Sequence, residues 1–178
     1  LIEEGADVSA FDSGWYGVTA LQAACRSGQL NVLNWLLEVG AYVTEPGGNN
    51  GNTHDAACHG SHLDVVRHLL AEGSEVNAKP AFTHGETALQ AVGRSGRVEI
   101  VTKLLNNGAF INTPAANHYQ GQTALQSTAV GSHLAVVKML VDVSADVNVL
   151  DMRHKASLKL AVLKGFEDVV ERLRQAGA

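Results

Sequence analysis

The sequence predicts an all-α repeat solenoid, in which helix-turn-helix units stack side by side and are joined by β-hairpin-like finger loops. Three observations predict it. A glycine or serine followed by a small residue recurs at Gly5-Ala6, Gly40-Ala41, Gly73-Ser74, Gly108-Ala109, Ser144-Ala145 and Gly177-Ala178, at intervals of 35, 33, 35, 36 and 33 residues. A second motif keeps step as Thr19-Ala20-Leu21-Gln22, Thr87-Ala88-Leu89-Gln90 and Thr123-Ala124-Leu125-Gln126, with degenerate copies at Asn52-Thr53-His54-Asp55 and Ala156-Ser157-Leu158-Lys159. Nine residues after each motif leucine an apolar cluster begins, at Leu30, Leu63, Val98 and Leu134; Glu167 holds the matching place in the last copy. A fixed period of this size marks an array in which each unit buries its apolar face against its neighbours.

Within a unit, the motif threonine is a good N-cap for a first helix, because its hydroxyl can accept from an orphan amide of the first turn. Small residues follow, as in Ala23-Ala24-Cys25 and Ala56-Ala57-Cys58, and let helices approach closely. The second helix carries apolar residues at helical spacing, for example Val65, Val66, Leu69 and Leu70, which gives it one buried face. The glycine after it suits a left-handed C-cap. Turn-rich segments such as Pro46-Gly47-Gly48-Asn49-Asn50-Gly51 then connect units. The chain is thus expected to be a single domain over 1–178, with repeats at about 7–40, 41–73, 74–108, 109–144 and 145–178. Residues 1–6 are expected to end a preceding repeat.

The period, the caps and both helices together resemble the ankyrin repeat, whose period is about 33 residues and whose signature is Thr-Pro-Leu-His-x-Ala. The resemblance covers nearly the whole chain, in five copies. Here alanine replaces the proline and glutamine the histidine, a variant similar to the long arrays of large fungal multi-ankyrin proteins, some of which carry a nucleotide-binding oligomerisation module. The resemblance implies a non-catalytic protein-protein interaction or scaffold module that holds its partner with the finger loops and the concave helix face. The alternative is the recognition region of a larger enzyme or signalling NTPase.

Length varies only between units. The glycine-to-motif distance is 12 residues from Gly40 to Asn52 and from Ser144 to Ala156, but 14, 14 and 15 from Gly5, Gly73 and Gly108 to their motif threonines. Insertions that respect stacking fall on one edge of a solenoid, often the binding edge. The longer fingers also carry Phe11, Trp15, Tyr16, Phe82, His84, His118 and Tyr119. Aromatic rings supply large contact area at low entropy cost, which makes Trp15, Tyr16, Phe82 and Tyr119 candidate anchors. The same rings could instead fold back on the neighbouring finger.

Five residues after each motif leucine comes the column Arg26, His59, Arg94, Val130 and Leu163. It is basic at its N-terminal end and apolar at its C-terminal end, so the expected partner is a protein or peptide segment part acidic and part apolar. The column two residues after the leucine, Ala23, Ala56, Ala91, Ser127 and Leu160, is mostly small and is expected to let that segment approach the backbone.

Other chemistry finds little support. A net charge of −5 lacks the basic footprint that phosphate binding needs, so no nucleic acid is expected. No apolar run reaches the roughly 18 residues of a membrane span. His54, His59 and His62 lie near Asp55 and Cys58 but only touch zinc-ligand spacing, and His62 and His133 occupy a place where the ankyrin repeat has a histidine of its own. No metal and no cofactor are expected. Cys25 and Cys58 hold equivalent places on adjacent units, about 8–10 Å apart, too far for a disulfide; they read as small apolar residues. Cys58, His59 and Asp55 share one short helix and cannot converge on a substrate, and no phosphate-cradling glycine loop is present. An enzyme is not expected. The scarce cysteines and missing Asn-x-Ser/Thr sites lean intracellular, cytoplasmic or nuclear, and a monomer in isolation is expected. Leu1-Ile2 match Leu36-Leu37, suggesting an array cut from a longer one, whereas Lys159, Glu167 and Arg174 make the last copy polar like a cap. His54 replaces a motif leucine; His54→Leu is expected to raise the melting temperature, as seen by calorimetry.

Overall fold

The computed structural model describes residues 7–10, 18–43, 53–78, 86–114, 121–151, 153 and 155–178, except for the side chains of 53–55. Among these residues ten helices and no strand occur: α1 (Ala20–Ser27), α2 (Leu30–Glu38), α3 (Thr53–Gly60), α4 (Leu63–Ala71), α5 (Ala88–Ser95), α6 (Val98–Asn106), α7 (Ala124–Val130), α8 (Leu134–Asp142), α9 (Ser157–Lys164) and α10 (Glu167–Gln175). The odd-numbered helices pack in chain order, α1 on α3, α3 on α5, α5 on α7 and α7 on α9. Helices α4, α6, α8 and α10 form a second layer in the same order, and every odd-numbered helix packs on the even-numbered helix that follows it. This is the all-α repeat solenoid that the sequence predicts.

The helices begin where the motif threonines stand. Thr19, Thr87 and Thr123 accept from the amides of Gln22, Gln90 and Gln126, and the glutamine side chains accept from the threonine amides in return, which satisfies two orphan donors at once. The glutamines do more than cap. The Gln90 amide nitrogen donates to the carbonyls of Thr113 and Pro114, and that of Gln126 to Val149 and Lys155 at 2.7 and 3.2 Å. Each thereby ties its helix to the next finger. A ladder of asparagines joins the finger bases in the same way. Asn77 donates to the Gly108 carbonyl and accepts from the Phe110 amide, while Asn112 donates to Ser144 and accepts from Asp146.

The interior is continuous. Each of the last four second helices buries the same three places: Val65, Val66 and Leu69; Ile100, Val101 and Leu104; Val136, Val137 and Leu140; Val169, Val170 and Leu173. In α2 only Leu33 and Leu36 are buried. No helix among the described residues is long and apolar enough to cross a membrane.

The second helices end alike. The amide of the residue after each left-handed position bonds back to the helix, as in Ala41 to Leu36, Ala109 to Leu104 and Ala145 to Leu140, a Schellman closure. Gly40, Gly73, Gly108 and Gly177 fill the left-handed position, but Ser144 takes it at φ 68°. A Cβ is disfavoured there, so Ser144→Gly should stabilise the chain by about 0.5 kcal/mol after the glycine's larger unfolded-state entropy is offset. A urea titration checks this through an upward shift of the midpoint.

His62 and His133 act between repeats. The Nε2–H of His62 donates to the Arg26 carbonyl at 3.1 Å, and that of His133 to the Arg94 carbonyl at 3.0 Å. Both rings occupy space that other residues must leave open. A Cβ on Gly60 would lie 2.4 Å from the His62 ring, and one on Gly131 2.5 Å from the His133 ring. In these two copies alone the preceding pair reads Gly-Ser, where the first and third copies read Ser-Gly. Ser61 and Ser132 consequently take the left-handed position at φ 59° and 60°. Cys25 and Cys58 are both buried thiols, and burial pushes the Cys25 pKa up to about 12, as suits a small apolar filler.

Candidate partner-binding groove

Stacking of the odd-numbered helices sets the same helical position of successive repeats side by side. Arg26, His59 and Arg94 are exposed, Val130 is half-buried and Leu163 is 61% exposed. They form one column across the layer. The neighbouring column behaves differently from expectation. Ala56, Ala91, Ser127 and Leu160 are buried, and of that set only Ala23 is exposed. Small size there serves helix-to-helix contact rather than access for a partner. The packing is close between α1 and α3, where a Cβ on Gly60 would lie 2.3 Å from the Arg26 carbonyl, and between α5 and α7, where one on Gly93 would lie 2.9 Å from the Ala124 carbonyl and 2.9 Å from the Thr128 hydroxyl. The candidate anchors Trp15, Tyr16, Phe82 and Tyr119 lie outside the described residues, as does the His54 side chain.

The basic end of the column contains an acid that the column-by-column reading passed over. Glu86, just before the Thr87 cap, pairs with Arg94 and comes within 3.6 Å of His59. Its position in the other copies reads Val18, Gly51, Gln122 and Lys155, so the same alignment extended by one residue would have found it. Partial burial of the side chain, which is 34% exposed, holds the His59 imidazole below its usual range, against the pull of Glu86; the Arg26 and Arg94 cations add to the lowering. A histidine with a depressed folded-state pKa binds protons more weakly when folded. Its contribution to stability is therefore present above the usual value of about 6.5 and is lost as pH falls. The wild type should lose more thermal stability than His59→Gln between neutral pH and pH about 5, as thermal melts of both at the two pH values would show.

The apolar end carries charge that was also missed. Val130, Leu160 and Leu163 share a cleft of about 230 Å³ with Gln122, Asp151, Arg153, Lys155 and Lys164. Among the described residues no three His, Cys, Asp or Glu side chains are grouped as a metal site would require.

Two layers of paired helices, with one variable column running across the units, define a helical-repeat scaffold. A model of three ankyrin repeats matches residues 49–115, and a model of the single ankyrin repeat matches residues 16–47 and 120–152. The chain belongs to the ankyrin-repeat family. It is 30% identical over 154 residues to the ankyrin repeat and KH domain-containing protein mask-1 of Caenorhabditis elegans, covering 86% of this chain but 6% of that protein. It is 26% identical over 178 residues to the putative ankyrin repeat protein YahD of Escherichia coli, covering 98% of this chain and 86% of the relative. It is 35% identical over 124 residues to the probable E3 ubiquitin-protein ligase XBOS33 of rice, covering 68% of this chain and 23% of that protein. Against mask-1 and XBOS33 the chain thus spans only a small part of the relative's length.

Proposed function

We propose that the chain is a non-catalytic recognition module that holds a protein segment along the exposed face of its first helices and the adjoining fingers. Ankyrin repeats generally mediate protein-protein interaction. The observation that carries the reading is the column Arg26, His59, Arg94, Val130 and Leu163, which changes chemistry from repeat to repeat while the stacked framework beneath it stays the same. A constant interior under a varied surface is what a binding scaffold requires. Trp15, Tyr16, Phe82 and Tyr119 on the fingers complete the proposed surface. The test is affinity capture with mass spectrometry, comparing the wild type with the pair Arg26→Glu and Arg94→Glu and with the pair Trp15→Ala and Tyr119→Ala. Specific partners should be lost with one or both pairs; a set of captured proteins unchanged by either contradicts the reading. A second reading has one observation in its favour. XBOS33 is described as a probable ubiquitin ligase and the chain matches only part of it, so the module could serve as the recognition part of a larger enzyme.

A further inference from the structure

Resting on that groove reading, we infer that the C-terminal cleft is a subsite for one bulky apolar side chain flanked by carboxylates, so that the partner is an acidic-apolar peptide segment whose acids lie at this end. The floor of the cleft is Val130, Leu160 and Leu163, and its rim carries Arg153, Lys155 and Lys164. Leu163 is 61% exposed, an apolar surface that water covers at a cost. A volume of about 230 Å³ admits one large side chain and little more.

Charge complementarity decides what flanks that side chain. Three cations converge here on a chain whose net charge is −5. Among the described residues none forms an ion pair with the side chain of Arg153, Lys155 or Lys164. The one acid among the described lining residues, Asp151, is buried, and its Oδ1 already accepts from the amides of Arg153 and Lys155, both at 2.8 Å. It serves the loop and leaves the rim net positive. At the other end of the groove Glu86 pairs with Arg94, so the more available positive charge lies beside the apolar floor, not at the N-terminal end of the column.

The described residues of this loop, Asp151, Arg153 and Lys155, are also tied to one another and to α7. The Asp151 amide donates to the Lys155 carbonyl at 3.0 Å, and that carbonyl also receives the Gln126 side-chain amide. Backbone already tied in this way at Asp151 and Lys155 loses less freedom on binding, which favours affinity.

The probe is a fluorescein-labelled, C-terminally amidated peptide with a single tryptophan flanked on both sides by glutamates, read by fluorescence anisotropy. Binding should be salt-sensitive. It should weaken by about tenfold or more in Arg153→Glu with Lys155→Glu, and in Leu163→Asp. All three positions lie at the surface of the cleft, and melting temperatures close to wild type will show that the variants fold. Replacing the peptide's glutamates by glutamines, or its tryptophan by serine, should have a similar effect. Equal binding by the charge-reversed variant, equal binding of the glutamine peptide, dependence on a free C-terminal carboxylate instead of flanking acids, or no binding at all overturns the proposal. A captured partner released by Arg26→Glu with Arg94→Glu, but retained by Arg153→Glu with Lys155→Glu, overturns the subsite while leaving the groove reading in place.

Discussion

Leu104→Ala should lower the unfolding free energy by about 3 kcal/mol, with a matching fall in the urea midpoint. Leu104 is 0% exposed in α6. It occupies the place that Leu69, Leu140 and Leu173 occupy in their own helices, so it belongs to a column running through the array. Truncation removes apolar area from water-free surroundings and leaves a cavity. That cavity cannot collapse easily, because α4 and α8 flank α6 on both sides. In a repeat array the loss also weakens the interfaces with both neighbours. The contrast is Leu163→Ala on the surface, which should change stability by no more than about 0.5 kcal/mol. Equal effects of the two substitutions would contradict the interior described here.

Gln126→Ala should cost about 2–3 kcal/mol, more than the loss of an ordinary helix cap. Gln126 is fully buried. Its side-chain oxygen accepts from the Thr123 amide at 2.8 Å, and its nitrogen donates to Val149 and Lys155. Alanine leaves the Thr123 amide and the Val149 carbonyl without these bonds in a buried setting, where an unmade bond is expensive, while the Lys155 carbonyl keeps the Asp151 amide. Gln126→Glu sharpens the test. It keeps the acceptor but turns the donor into a carboxylate oxygen facing two carbonyls, so it should destabilise at least as much as alanine at neutral pH. Thermal melts separate the possibilities: if the side chain only capped α7, the glutamate variant would be nearly neutral.

The first role of Gln126 was readable from the sequence and the second was not. A threonine three residues before a glutamine reports a capping box because the partners are close along the chain. The donors to Val149 and Lys155 reach 23 and 29 residues ahead, and which carbonyls they meet depends on how repeats register when stacked. The same holds for His62 and His133, whose bonds span 36 and 39 residues. Apolar spacing in the second helices marked Val65, Val66 and Leu69 as interior because the helical period alone decides which face is buried. It did not tell that the column of Ala56 and Ala91 would be buried too, since small residues suit an open floor and a tight helix contact equally well. Glu86 was within reach of the alignment, but its pairing with Arg94, and the approach of Arg153 and Lys155 to Leu163, bring finger ends beside the helices only once the chain has folded. Val162 makes a related point: its counterparts Cys25, Cys58 and Ala129 are buried, whereas Val162 is 53% exposed, although Lys159, Glu167 and Arg174 are exposed as the polar pattern suggested.

The stacking order is open to a direct measurement. Arg67, Thr102, Lys138 and Glu171 are exposed and equivalent on α4, α6, α8 and α10. Spin labels placed in pairs at these sites report distances by double electron-electron resonance. Adjacent packed helices lie about 8–10 Å apart, so the separation from residue 67 should be about 20 Å at residue 138 and about 30 Å at residue 171, apart from label length. A steady rise in that order is the expected result; a separation from 67 to 171 no longer than that from 67 to 138 would contradict the stacked array.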